Sequence, residues 1–142
     1  MERESVAKVL ILNQEREALI LTTGEYKEHP EKAHKPDFPG GLVDLGESEH
    51  TAAIREVYEE TGIVLDPKHV SLAYAETKFY GDENKSVSKL LYLVSLVVIP
   101  EVRLSWEHEA YEWVDFDTLL ETHELRPFYK SAVEYIKSNQ LI

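Results

Sequence analysis

The chain has 142 residues, of which 43% are hydrophobic and 30% charged, with a formal net charge of −12. That length suits one domain with one substantial core. The acidic balance, with no Lys/Arg stripe, argues against a nucleic-acid surface, and the absence of cysteine excludes disulfides, thiolate metal sites and thiol nucleophiles.

Met1 to Ser5 is charged, so no signal-peptide core follows it. The longest apolar run, Leu90 to Pro100, is broken by Ser95 and falls far short of the ~20 residues that cross a bilayer. A soluble, cytoplasmic protein that does not meet a membrane is expected. In chain order, Ser5 to Asn13 and Ala18 to Thr23 are rich in aliphatic and β-branched residues and predict two strands. The five polar residues between them suggest a hairpin. Gly24 to Asp37, with Pro30 and Pro36, reads as a loop in which His29 and His34 are solvated rather than metal-bound. Gly41 to Leu45 continues as a short strand, and Ser48 to Thr61 as a helix. Val70 to Tyr80 and Ser88 to Ile99 predict antiparallel neighbours across a turn at Gly81 to Lys85, the second strand buried on both faces. A short strand at Glu112 to Val114 leads into a turn of helix at Asp115 to Glu121, capped by Asp115 or Asp117. Pro127 to Asn139 has apolar positions at helical spacing, with Pro127 in the first turn. Strands interleaved with two principal helices, and no internal repeat, are consistent with helices on both faces of a mixed sheet.

The helix from Ser48 carries the chemistry. At about 100° per residue, Glu56, Glu59 and Glu60 share one face, beside an apolar sector that can bury. Carboxylates so crowded repel one another unless a cation intervenes, and a hard divalent ion with oxygen ligands suits them. Ser48 is placed to cap the helix start, with Thr51 where a complete capping box has Glu or Gln; Gly62 is placed to end the helix. Phe38-Pro39-Gly40-Gly41 ahead of it is a breaker-rich turn that frees backbone groups.

Gly41, Glu47, Arg55, Glu56, Val57, Glu59, Glu60, Gly62 and Ile63 stand at the spacing Gly, five residues, Glu, seven residues, Arg-Glu-aliphatic, one residue, Glu-Glu, one residue, Gly-aliphatic. This resembles the Nudix box in every fixed place, and seven identities coincide by chance with probability on the order of 10⁻⁸ per start. The resemblance implies an α/β fold, a Nudix-type α/β/α sandwich with a mixed sheet, in which the box forms a loop-helix-loop catalytic motif within a single domain. It implies Mg²⁺, with Mn²⁺ as a substitute, held by Glu56, Glu59 and Glu60 with the Gly40 carbonyl as an additional ligand. Arg55 then orients the carboxylates and Glu47 supports Arg55. The general base is Glu56 or Glu107, the latter joining the metal cluster from the opposite wall; Glu109 is its alternative.

The segment Trp106-Glu107-His108-Glu109-Ala110-Tyr111-Glu112-Trp113 resembles one in asymmetric diadenosine tetraphosphate hydrolases, and Tyr80 lies near where that group carries a tyrosine. By that resemblance the substrate is a nucleotide, best a dinucleoside polyphosphate. Tyr80 and Tyr111 suit stacking on a base, His108 a phosphate or leaving group, and Lys89, among Lys35, Lys78 and Lys89, a distal phosphate. Thr22 and Thr23 stand where many members have a basic residue. Removal of surplus nucleoside triphosphates, and a nucleotide-sensing module without catalysis, are the rival readings. A monomer or a homodimer fits equally.

Overall fold

A computed structural model describes all 142 residues. Seven strands form one sheet: β1 (Glu2–Leu12), β2 (Glu17–Thr23), β3 (Pro36–Asp37), β4 (Gly40–Leu42), β5 (Ser71–Tyr80), β6 (Lys85–Ser95) and β7 (His108–Asp115). The helices are α1 (Glu49–Thr61), α2 (Leu119–Thr122) and α3 (Pro127–Ser138). The sheet order is β3-β2-β1-β6-β5, with β4 also on β1 and β7 also on β2. β1 and β6 are parallel from Glu2↔Lys85 to Leu12↔Ser95, while β5 and β6 are antiparallel as expected.

Side-chain alternation on β1 creates two cores. Ala7, Val9 and Ile11 pack with Ala52, Ala53 and Val57 of α1; Leu10 and Leu12 pack with Phe128, Ala132, Val133 and Ile136 of α3. The sandwich follows from that alternation: each sheet face is apolar and each is covered by one amphipathic helix. Lys8 belongs to the α3-facing row and is the one charged residue in the apolar part of β1 from Val6 to Leu12.

The expected hairpin is confined to its turn. β1 and β2 share the single register pair Leu12↔Ala18 and then part, and β2 instead pairs with β7 from Glu17↔Asp115 to Thr23↔His108. Residues 36–42 enter the gap, β3 bonding to β2 and β4 to β1. This insertion delivers the turn before α1 into the middle of the sheet.

Two boundaries differ most from the sequence reading. β6 stops at Ser95, and Val97, Val98 and Ile99 are exposed at 77%, 76% and 55%. The apolar run outlasts its neighbour: the register ends at Leu12↔Ser95, and no strand lies alongside Val97 to Ile99. Burial on both faces holds only for the stretch from Leu91 to Val94, where Leu91 joins the α3 core and Tyr92 and Val94 the α1 core. β7 begins at His108 rather than Glu112, because backbone pairing to β2, not hydropathy, sets its start.

Candidate active site

Ser48 caps α1 by accepting from the Thr51 amide at 3.1 Å, and Gly62 ends it in the left-handed region (φ 75°). Between these caps the helix presents Arg55 as a hub. Its Nε and Nη2 donate to the two oxygens of Glu47 at 2.7 and 2.9 Å, and Nη1 donates to Glu56 and Glu59, both at 3.1 Å. Nη2 also reaches the Leu42 carbonyl at 3.2 Å. The Arg55 hydrogen bonds, with the Asp44 amide, hold the Glu47 carboxyl down to about 2. Arg55 in turn is held above its ordinary value, chiefly by Glu47.

Glu56 and Glu60 are pushed the other way. Burial raises the Glu56 carboxyl; Arg55 opposes this, while the charges of Glu59 and Glu107 add to it. A Cβ at Gly41 would lie 2.7 Å from the Glu56 carboxyl carbon, so the bare glycine leaves room for that side chain. Glu60 is 3% exposed, and burial lifts it to about 7 against the pull of Lys8 and of the Gly40 amide, which donates to Glu60 Oε1 at 2.7 Å. The Gly40 carbonyl accepts from Lys8 Nζ at 2.9 Å. Having two lone pairs, it keeps one for another partner.

No three acidic or histidine side chains converge on one point as a preformed cage would. The expected gathering of Glu56, Glu59 and Glu60 is therefore not present in this conformation, because Arg55 draws Glu56 and Glu59 while the Gly40 amide draws Glu60. The donors are nonetheless oxygen only and anionic, and two of them ionise reluctantly without a counter-charge. Their chemistry fits a hard divalent cation.

Glu107 is exposed in the turn before β7, close enough for its charge to raise Glu56, and its carbonyl accepts from the Gly24 amide at 3.0 Å. Glu109, its alternative, pairs instead with His34. The role expected of His108 does not match its position: its side chain is 2% exposed and Nε2 lies 2.8 Å from Asp37 Oδ2, so the ring faces the interior rather than a phosphate. Tyr80 and Tyr111 are not brought together. Tyr80 ends β5, at one edge of the sheet, on the α3 side; Tyr111 sits on β7, beyond β2, opposite Leu21 of the α1 core. They cannot clamp one base. Lys89 lies on the α3 side with its ammonium 5.9 Å from the Phe128 ring, and burial together with Arg126 lowers its pKa.

A buried polar cluster beneath the Gly40 turn escaped the sequence reading. Asp37, 4% exposed, accepts from His108 at 2.8 Å, from Arg126 Nη2 at 2.8 Å and from the Tyr129 hydroxyl, with Lys8 Nζ 3.4 Å away. Burial alone would raise its carboxyl, but Lys8, His108, Tyr129 and Arg126 together hold it well below the carboxylate range. A lone lysine inside an apolar strand was the available signal for Lys8. Asp37 meets Arg126 and Tyr129, which stand three positions apart at the start of α3, only through the tertiary fold.

A model of the NUDIX domain matches residues 1–136, nearly the whole chain. The chain belongs to the Nudix family. Among relatives, the Nudix chain is 37% identical over 79 residues to the asymmetrical bis(5'-nucleosyl)-tetraphosphatase of Caenorhabditis elegans, covering 56% of this chain and 57% of that protein. It is 36% identical over 72 residues to the 8-oxo-dGTP diphosphatase of Escherichia coli, covering 51% and 52%. The Nudix chain thus spans about half the length of these curated relatives. Among solved structures, the MutT protein of Methanosarcina mazei superposes with a TM-score of 0.80 at 29% identity, covering 97% of this chain and 96% of that one. An Ap4A hydrolase binary complex from C. elegans gives 0.67 at 26% identity, covering 96% and 98%.

Proposed function

We propose that this Nudix protein hydrolyses a phosphoanhydride bond in a nucleoside diphosphate linked to another group, with a dinucleoside polyphosphate as the favoured substrate. The observation that carries the reading is the arrangement of Glu47, Glu56 and Glu59 around Arg55, with Glu60 held beside Gly40. Glu56, Glu59 and Glu60, with the free lone pair of the Gly40 carbonyl, would hold Mg²⁺ or Mn²⁺, which offsets charge on the phosphoryl oxygens when bound. Arg55 fixes the side chains of Glu56 and Glu59, and its anchor to Glu47 keeps it from swinging toward substrate phosphate. Glu56 or Glu107 takes the proton from the attacking water. The raised Glu56 carboxyl suits it to that exchange, and the exposure of Glu107 suits it to meet a ligand entering from solvent. Tyr80 and Lys89, on the α3 face of the sheet, supply the base platform and the distal phosphate contact; Tyr111, on the α1 face, is the alternative base platform.

The similarity to a tetraphosphatase supports the dinucleoside reading. The similarity to an 8-oxo-dGTP diphosphatase supports nucleoside triphosphate pyrophosphohydrolysis as the second one. Incubation with dinucleoside polyphosphates, nucleoside triphosphates and nucleotide sugars in Mg²⁺, with products identified, separates them. Asymmetric cleavage of a dinucleoside tetraphosphate at the highest kcat/KM is expected, and Glu107→Gln is expected to lower turnover about 10²-fold or more. Tight nucleotide binding without turnover of any of these would replace the enzyme by a sensor.

A further inference from the structure

β5 is the last strand of the sheet. It pairs with β6 alone, so its other edge carries unpaired backbone donors and acceptors. Natural sheets blunt such an edge with proline, a bulge or charged side chains, and β5 carries of these only Glu76 and Lys78 in its regular part. Here the only irregularity lies between Leu72 and Tyr74, and the stretch from Tyr74 to Tyr80 is regular and free of proline. From Ala75 onward every residue of β5 is exposed, including Phe79 at 56%.

We infer that this edge is a self-association surface, through which a second copy of the chain adds β5 antiparallel to β5 about a two-fold axis at Thr77. Directly opposed residues on antiparallel strands point to the same face, so the axis must pass through a residue rather than between two. An axis at Glu76 sets Glu76 against itself, and one at Lys78 sets Lys78 against itself; both are repulsive. The axis at Thr77 sets Glu76 of each copy against Lys78 of the other, Ala75 against Phe79 and Tyr74 against Tyr80, which joins opposite charges twice and aromatic rings twice.

Both charged groups are available for this. The Lys78 ammonium rests 5.1 Å from the Tyr80 ring centroid and has no carboxylate partner. Glu76 accepts from the Tyr74 hydroxyl at 2.9 Å through Oε2, leaving Oε1 free. The long-range charge favours the same place. Two copies each carrying −12 repel over most of their surfaces, whereas Tyr74 to Tyr80 holds one Glu and one Lys and is locally neutral. Seven residues of strand make a small interface, so the dimer is concentration-dependent.

Sedimentation velocity between about 10 and 500 µM, with hydrogen exchange at both ends of that range, tests it. The wild type is expected to move from monomer toward dimer, with added protection confined to Tyr74–Tyr80. Lys78→Glu alone and Glu76→Lys alone each turn two attractive pairs repulsive and are expected to raise the dissociation constant at least about tenfold. Mixing these two variants restores opposite charges at every cross-copy pair, and a heterodimer is expected. A wild type that stays monomeric throughout overturns the inference. So does a dimer indifferent to Lys78→Glu, a mixture that fails to associate, or protection appearing away from β5. Circular dichroism of each variant establishes that it is folded before it is scored.

Discussion

The carboxylate of Glu60 is the most constrained charge at the site, and replacing it by Gln isolates its cost. Burial raises it from 4.5 to about 7, so between those values the folded protein binds a proton that the unfolded chain releases. Stability is then greatest at low pH and falls as pH rises toward 7. At about 1.36 kcal/mol per pH unit, ionised Glu60 costs roughly 3 kcal/mol at pH 8 in the absence of metal. Glutamine keeps an oxygen to accept from the Gly40 amide but carries no charge. Thermal unfolding in EDTA is therefore expected to show Glu60→Gln more stable than wild type at pH 8, by about 6 to 12 °C at 2 to 4 °C per kcal/mol. It should also show little dependence on pH from 5 to 8, where the wild type declines. Millimolar Mg²⁺ should raise the wild type more than the variant, because the variant lacks one of the carboxylates that would ligate it. A variant less stable than wild type at pH 8 without metal, or one with the same pH slope, would refute the assignment of the penalty to Glu60.

Two adjacent glycines should separate stability from activity. A Cβ at Gly40 (φ 134°) would sit 2.2 Å from the Ala7 carbonyl oxygen, so Gly40→Ala is expected to cost about 3 kcal/mol or more, read by urea denaturation. Gly41→Ala meets only the end of the Glu56 side chain and should lower kcat at least about tenfold while shifting Tm little. Asp37→Asn strands Lys8 and Arg126 and should cost about 3 to 5 kcal/mol. Because the folded Asp37 carboxyl is held below its ordinary value of 3.8, the stability it contributes is present above that pH and lost below it. The variant's acid-unfolding curve should lack that step. Arg55→Lys loses the paired bonds to Glu47 and is expected to cut kcat about 10²-fold with the fold intact by circular dichroism.

How much of the molecule was legible in the sequence varied with the range of the interactions involved. The span of α1 was readable because Ser48, Gly62 and the apolar sector of the helix act within a few residues of one another, and the cap at Ser48 formed as its spacing implied. The hub at Arg55 was approachable for the same reason, since Glu47, Glu56 and Glu59 lie within eight residues of it. Periodicity could not show that β2 leaves β1 for β7, a choice decided by strands some ninety residues apart. Nor could it show where β6 loses its neighbour. His108 was misplaced because a histidine between two glutamates reads as polar surface, whereas alternation along β7 turns it inward to Asp37, from an element seventy-one positions earlier. The convergence of Lys8, Asp37, Arg126 and Tyr129 joins three separate segments, β1, β3 and the start of α3, and leaves no trace in any one of them.

The wedge formed by residues 36–42 bears on how the site can move. Val9 donates to the Pro39 carbonyl at 2.8 Å and Val43 to that of Ser5 at 2.9 Å, so the backbone at Gly40 is stitched into the central strand rather than hung from a hinge. Swinging that carbonyl away would tear the ladder on which both cores rest. Whatever closes around an incoming molecule must therefore be recruited from the periphery, and the Gly40 floor of the candidate site is as durable as the fold itself.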